Sequence, residues 1–164
     1  MSPTQRTQAF TARRNGVFYP TGHVVLAVMH EQLPALEQAL QQAGFGTGQL
    51  MRLSPQETIE LMDQSAKDAG LLSRIVSAEL KETEVLRQLA QDGASLLIVR
   101  IGDDADQELL TQAAQGYHIR KASCYHTLAI EELAIGTEEI PQESPYGMNE
   151  IPRAKPSDAQ LKPK

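Results

Sequence analysis

Two stretches of the chain are apolar without alternation, Val24-Val25-Leu26-Ala27-Val28 and Leu96-Leu97-Ile98-Val99. A strand that is apolar on both sides must be covered on both sides, so residues 23–29 and 95–101 are predicted as adjacent central strands of a sheet. Each runs into a helical stretch that ends at a glycine followed by an aromatic residue, Gly44-Phe45 and Gly116-Tyr117. Val24 lies as far from Gly44 as Leu96 lies from Gly116. This gapless echo predicts two β-α-β units. The helical stripes of the two units are offset, because Leu36 aligns with Glu108. Shared architecture accounts for the echo without a duplication.

The remaining pattern fills in the elements. Leu33, Leu36 and Leu40 recur at helical spacing over residues 31–43, with Pro34 in the first turn and Gly44 suited to the left-handed C′ position. Residues 49–53 form a shorter strand that carries Arg52, an edge character. Ser54-Pro55-Gln56-Glu57 has the form of a capping box with proline at N1. It opens a helix with Ile59, Met62, Ala66 and Ala69 on its apolar face, broken at Gly70. A longer helix over 72–91 places Ile75, Val76, Leu86 and Leu89 inward and is polar through its middle. A helix from Gly102-Asp103-Asp104 to Gln115 follows the second central strand. Residues 117–122 and 124–130 are predicted as strand, either as two strands or as one long strand bent near Ser123.

These elements predict an α/β fold, a ferredoxin-like plait with two helices inserted between strands 2 and 3. Its first and third strands are central, and its second and fourth are edges. Three regions are expected: a flexible basic arm over 1–16, one α/β domain over 17–135, and a Pro-rich disordered tail over 136–164. Five of the nine prolines fall between Pro141 and Pro163. The helices of a plait cover one face only, and both faces of the central strands are apolar. Either the inserted helices or a second subunit must cover the other face, and a homodimer is the expectation.

The segments Val24-Val25-Leu26-Ala27-Val28, Leu36-Glu37-Gln38-Ala39-Leu40 and Gly44-Phe45, with Gly93 to Arg100, Asp103-Asp104 and Gly116-Tyr117, resemble bacterial general-stress and heat-induced stress proteins of plait-like type. The resemblance spans residues 23–130. It implies a small cytoplasmic bacterial protein and transfers no catalytic residue.

Charge narrows the partners. The net charge is -6, and residues 23–135 hold 16 acids against 8 bases. An acidic body repels phosphate backbones, which disfavours nucleic acid. The basic exception is the N-terminal arm with Arg6, Arg13 and Arg14. No apolar run reaches the ~20 residues of a membrane span. A single cysteine, Cys124, rules out an internal disulfide and points to the reducing cytoplasm.

Candidate chemistry is sparse. Cys124 and His126 fall at i and i+2, on one face of a strand, where a thiol and an imidazole can hold a metal or form a thiolate pair. They are weak candidates, because metal sites need further ligand pairs and nothing brings His23, His30 or His118 to them. A small buried cysteine beside an edge histidine explains them as well. Asp103, Asp104, Asp106 and Glu108 have the hard oxygens of a divalent-cation site, but acids at a helix N-terminus also cap its free amides. Gly44-Phe45-Gly46-Thr47-Gly48 follows a helix instead of opening one, so it is a return loop and not a phosphate loop. Phe18, Tyr19, Tyr117 and Tyr125 lie off the central strands, unlike the stacking platform of an RNA-binding sheet. No catalytic residue and no cofactor are assigned. The expected function is a non-enzymatic interaction or small-ligand-sensing protein. The alternatives are a small enzyme or metal/thiol protein using Cys124 and His126, and a nucleic-acid accessory protein acting through the basic arm.

Overall fold

A computed structural model of the chain describes residues 9–69 and 78–136. The elements in chain order are β1 (Arg13–Arg14), β2 (Val17–Phe18), β3 (His23–Met29), α1 (Leu33–Ala43), β4 (Leu50–Leu53), α2 (Pro55–Asp68), α3 (Ala78–Gln91), β5 (Ala94–Arg100), α4 (Asp104–Ala113), β6 (Ile119–Tyr125) and β7 (Ile130–Glu132). The fold is α/β. Five strands make one antiparallel sheet in the order β4-β5-β3-β6-β7. The two continuous apolar strands, β3 and β5, are neighbours and both are interior, with Val25 opposite Ile98 and Leu26 opposite Leu97.

Alternation along β3 and β5 divides the core into two layers. Val24, Leu26, Val28, Leu97 and Val99 face α1 and α4, where Leu33, Leu36, Leu40 and Leu110 pack on them. Val25, Ala27, Leu96 and Ile98 point the other way, under Phe10, Phe18, Met62 and Leu86. The second face is therefore covered by this chain itself, through α2, α3 and residues 10–19. The open face from which a homodimer was expected is not there.

The helix boundaries follow from their caps. Ser54 Oγ accepts from the Glu57 amide at 3.1 Å, and the Ser54 amide donates to Glu57 Oε1 at 2.8 Å, the reciprocal box expected there. Gly44 and Gly116, the paired glycines of the echo, both have positive φ, 121° and 89°. The buried stripe of α2 differs from the expected one. It is Thr58, Met62 and Ser65, while Ala66 is exposed. Polar residues can be buried here because each is bonded: Thr58 Oγ1 donates to the Ser54 carbonyl and Ser65 Oγ accepts from the Phe18 amide. In α3 the inward residues are Thr83, Leu86 and Ala90, with Leu89 partly buried. Gly70, Ile75 and Val76 lie outside the described residues.

Two further expectations are corrected. Residues 117–130 are not one bent strand. β6 ends at Tyr125, a turn follows, and β7 folds back with Tyr125 opposite Ile130 and Ser123 opposite Glu132. The fourth long strand is thus not an edge, because β7 lies outside it. Nor do residues 9–16 form a free arm. Phe10 is buried, β1 and β2 pair through Arg13 opposite Phe18, and Asn15 and Gly16 turn the hairpin at φ 55° and 83°. Asn-Gly is the preferred dipeptide for a two-residue hairpin turn, because both positions need positive φ. Residues 137–164, nearly all of the predicted tail, lie outside the described residues.

Candidate functional site

At the end of the sheet where β3 begins, β5 and β6 both finish. Antiparallel pairing brings Thr21 and Gly22, the segment Ile101 to Asp104, and the segment Cys124 to Thr127 to one place. Between them lies a cleft of about 210 Å³, with Gln107 of α4 on its wall. Backbone bonds brace it: the Gly22 amide donates to the Tyr125 carbonyl at 2.8 Å and the Ile101 amide to the Gly22 carbonyl at 2.9 Å.

The acidic knot sits at this cleft and is largely consumed in capping. Asp103 Oδ1 accepts from the Asp106 amide at 2.9 Å, and Asp106 Oδ2 accepts from the Gly102 amide at 2.8 Å. Asp104 lines the cleft beside them. The capping role accounts for Asp103 and Asp106, and among the described residues no group of three or more His, Cys, Asp or Glu is spaced to hold a metal ion.

Cys124 and His126 both reach the cleft, but in different states. Cys124 is 4% exposed and belongs to the core layer under α4. Burial pushes its thiol up, and the Glu131 and Asp104 carboxylates push in the same direction. A raised thiol stays protonated at neutral pH and is a poor nucleophile. His126 lies just beyond β6, exposed, with Nε2 at 2.8 Å from Glu131 Oε1. The strand on which i and i+2 would share a face ends before His126. His23 is at the start of β3, His30 bonds Ser95 Oγ at 2.7 Å, and the His118 amide bonds Gln32 Oε1 at 3.2 Å. None of them joins Cys124 in a ligand cluster.

The other side of the cleft rim is held by Tyr19 and Arg14, in a place that neither the aromatic pattern nor the basic arm suggested. Tyr19 Oη donates to the His126 carbonyl at 2.5 Å, and Arg14 Nη1 donates to the Thr127 carbonyl. The Arg14 guanidinium stacks 3.7 Å above the Tyr19 ring and pairs with Glu79 of α3 at 3.2 Å. Arg13 pairs with Asp68 at 2.8 Å. The charges of Arg13 and Arg14 are thereby engaged within the fold, which removes two of the three arginines that suggested a nucleic-acid arm; Arg6 lies outside the described residues. The aromatics are engaged as well, Tyr19 and Phe18 meeting Tyr125 edge to face at 5.0 and 5.8 Å. Asn15-Gly16 was the one available signal for this hairpin.

No family model matches the chain, and neither a curated protein nor a solved structure resembles it at a significant level.

Proposed function

We propose that this protein is a non-enzymatic, small-ligand-sensing protein of ferredoxin-like plait type, with the cleft at the end of the sheet as its ligand site. The strand order supports the plait: leaving out β7, the sheet runs second, third, first, fourth, with two helices between the second and third long strands. The observation that carries the functional reading is the cleft itself, built from three chain segments and walled by Asp104 and Gln107. Acceptor oxygens and an acidic surround suit a small polar ligand that bears hydrogen-bond donors. The raised Cys124 thiol favours binding over nucleophilic chemistry. Cytoplasmic location and a role in stress belong to the same proposal, the first supported by a free, buried cysteine and the second by the resemblance to stress proteins.

Native mass spectrometry of protein taken directly from cells tests this. The expected result is a retained small polar molecule on the wild-type chain that is lost in the Asp104→Ala, Gln107→Leu double variant. Retention unchanged in that variant, or no retained molecule, overturns the assignment of the cleft. Rapid stoichiometric alkylation of Cys124 in the folded protein at neutral pH favours the thiol enzyme instead.

A further inference from the structure

Residues 10–19 lie over the sheet face that α2 and α3 also cover, and they are fastened from several sides. Arg13 and Arg14 hold Asp68 and Glu79, the Phe18 amide donates to Ser65 Oγ at 3.1 Å, and the Tyr19 amide donates to the Ala12 carbonyl at 2.8 Å. Beneath the start of this segment lies His23, 5% exposed, with the Phe10 ring edge-on at 5.0 Å. His23 Nδ1 is 3.0 Å from the Thr21 carbonyl. A carbonyl only accepts, so Nδ1 carries the proton and Nε2 the lone pair. That Nε2 is buried and has no hydrogen-bond partner among the described residues. The buried hydroxyls of Thr58, Ser65, Thr83, Ser95 and Ser123 all have partners. His23 is the exception, and it is also a group that titrates near neutral pH.

We propose that residues 10–19 form an acid-released latch, closed while neutral His23 is sealed under Phe10 and linked to the cleft rim through Arg14 and Tyr19. A proton on Nε2 creates a buried charge and a buried donor without an acceptor, and both are relieved when Phe10 lifts and water enters. Of the groups around His23, one repels the new charge and none neutralises it. From β5, Arg100 is its cross-strand partner and adds repulsion. At the end of β6, whose Tyr125 carbonyl accepts from the Gly22 amide, the buried Tyr125 phenol is pushed well up by burial and stays neutral. From the segment itself, Phe10 is uncharged. Burial holds the imidazole below its ordinary value, ahead of the opposing carbonyl contacts. The closed state is thus favoured fully above the free-imidazole pKa of about 6.5, and that preference is lost as pH falls from there through the lower pKa of the closed state. By pH 5 the opening equilibrium rises by up to about thirtyfold if only the open state takes the proton. Release would free the His126 and Thr127 carbonyls from Tyr19 and Arg14, so the consequence for ligand rests on the cleft reading, whereas the latch does not.

Amide hydrogen exchange, corrected for intrinsic rates and run without ligand, tests the latch directly. Between about pH 7.5 and 5, protection of Phe18 and Tyr19 is expected to fall at least fivefold and up to about thirtyfold, while Leu26 and Ile98 in the central strands hold. In His23→Gln and His23→Phe the change is expected to shrink below about twofold. Constant wild-type protection, a fall that survives in both variants, or a parallel fall in the central strands overturns the latch. Ring-nitrogen shifts of wild-type His23 give a check that needs no variant: a bare Nδ1 and a protonated Nε2 at neutral pH also overturn it. A cleft that binds nothing leaves these outcomes unaffected, so the two proposals fail separately.

Discussion

At the residue scale, backbone freedom matters most where the chain turns against itself. Gly16 has φ 83°, and a Cβ there would lie 2.2 Å from the Asp68 carbonyl oxygen. Gly22 has nearly the same φ, 84°, with nothing within 4 Å of a Cβ. The pair separates torsional strain from steric exclusion. Gly22→Ala is expected to cost about 1–2 kcal/mol, the left-handed penalty alone. Gly16→Ala adds a clash with backbone that cannot move without undocking the hairpin, and is expected to cost about 2–4 kcal/mol. Urea unfolding of the two variants checks the ranking, and equal costs would show that the hairpin yields freely. The polarity of residues 1–16 predicts a flexible arm around Gly16. Asn15-Gly16 carried the contrary signal. Arg13 and Arg14 looked like a charge run because their partners, Asp68 and Glu79, are distant in sequence.

At the element scale, α3 shows how a polar helix middle becomes an interior contact. Glu82 accepts from Ser123 Oγ at 2.6 Å and pairs with Lys121 at 3.4 Å, both side chains 12% exposed. Lys121 also reaches Glu132 of β7 at 3.5 Å. α3, β6 and β7 are tied together at this point. Removing one partner of a nearly buried pair leaves the other charge desolvated, so Glu82→Ala is expected to cost about 2–3 kcal/mol, with Glu132 offsetting part of a larger loss. The Arg87–Asp63 pair between α3 and α2 has side chains 36% and 54% exposed, and Asp63→Ala is expected to cost less than about 1 kcal/mol. Chemical denaturation of the two variants decides; similar costs would mean that Glu82 is solvated in solution. The helix ends were legible because caps are local, as Ser54-Pro55-Gln56-Glu57 shows. The inward stripe of α2 was not, because burial of Thr58 and Ser65 depends on partners that a hydropathy pattern does not register. Residues 126–129 hid a turn for a similar reason: they contain neither glycine nor proline.

At the scale of the whole molecule, the adjacency of the two interior strands was legible from the unbroken apolarity of β3 and β5, and the edge place of β4 from Arg52; the charged residues of β6 pointed to an edge that β7 occupies instead. The cleft was not legible, because it arises only when the ends of three strands meet: Asp103, Asp104, Cys124 and His126 stood out singly, nothing in the sequence joined the acidic pair to the thiol and imidazole, and Gln107 carried no signal at all. Self-association depends on the same balance of apolar faces and covers. Two apolar faces with helices for one left a face to be covered, and a second copy was the simplest cover. α2, α3 and residues 10–19 supply that cover within one chain. The large apolar side chains still exposed among the described residues are Val85 at 43% and Leu128 at 92%, two isolated positions and not a patch. Both sheet edges are short, β4 with Arg52 and β7 with Glu131 and Glu132, and edge pairing of two β7 strands would bring like charges together. Sedimentation velocity at micromolar concentration is therefore expected to show a single species at the chain mass of 18.0 kDa. A species of twice that mass, growing with concentration, would mean that an interface exists outside the sheet faces. Loss of that species on Leu128→Ser would locate it at the β6–β7 turn, beside the cleft.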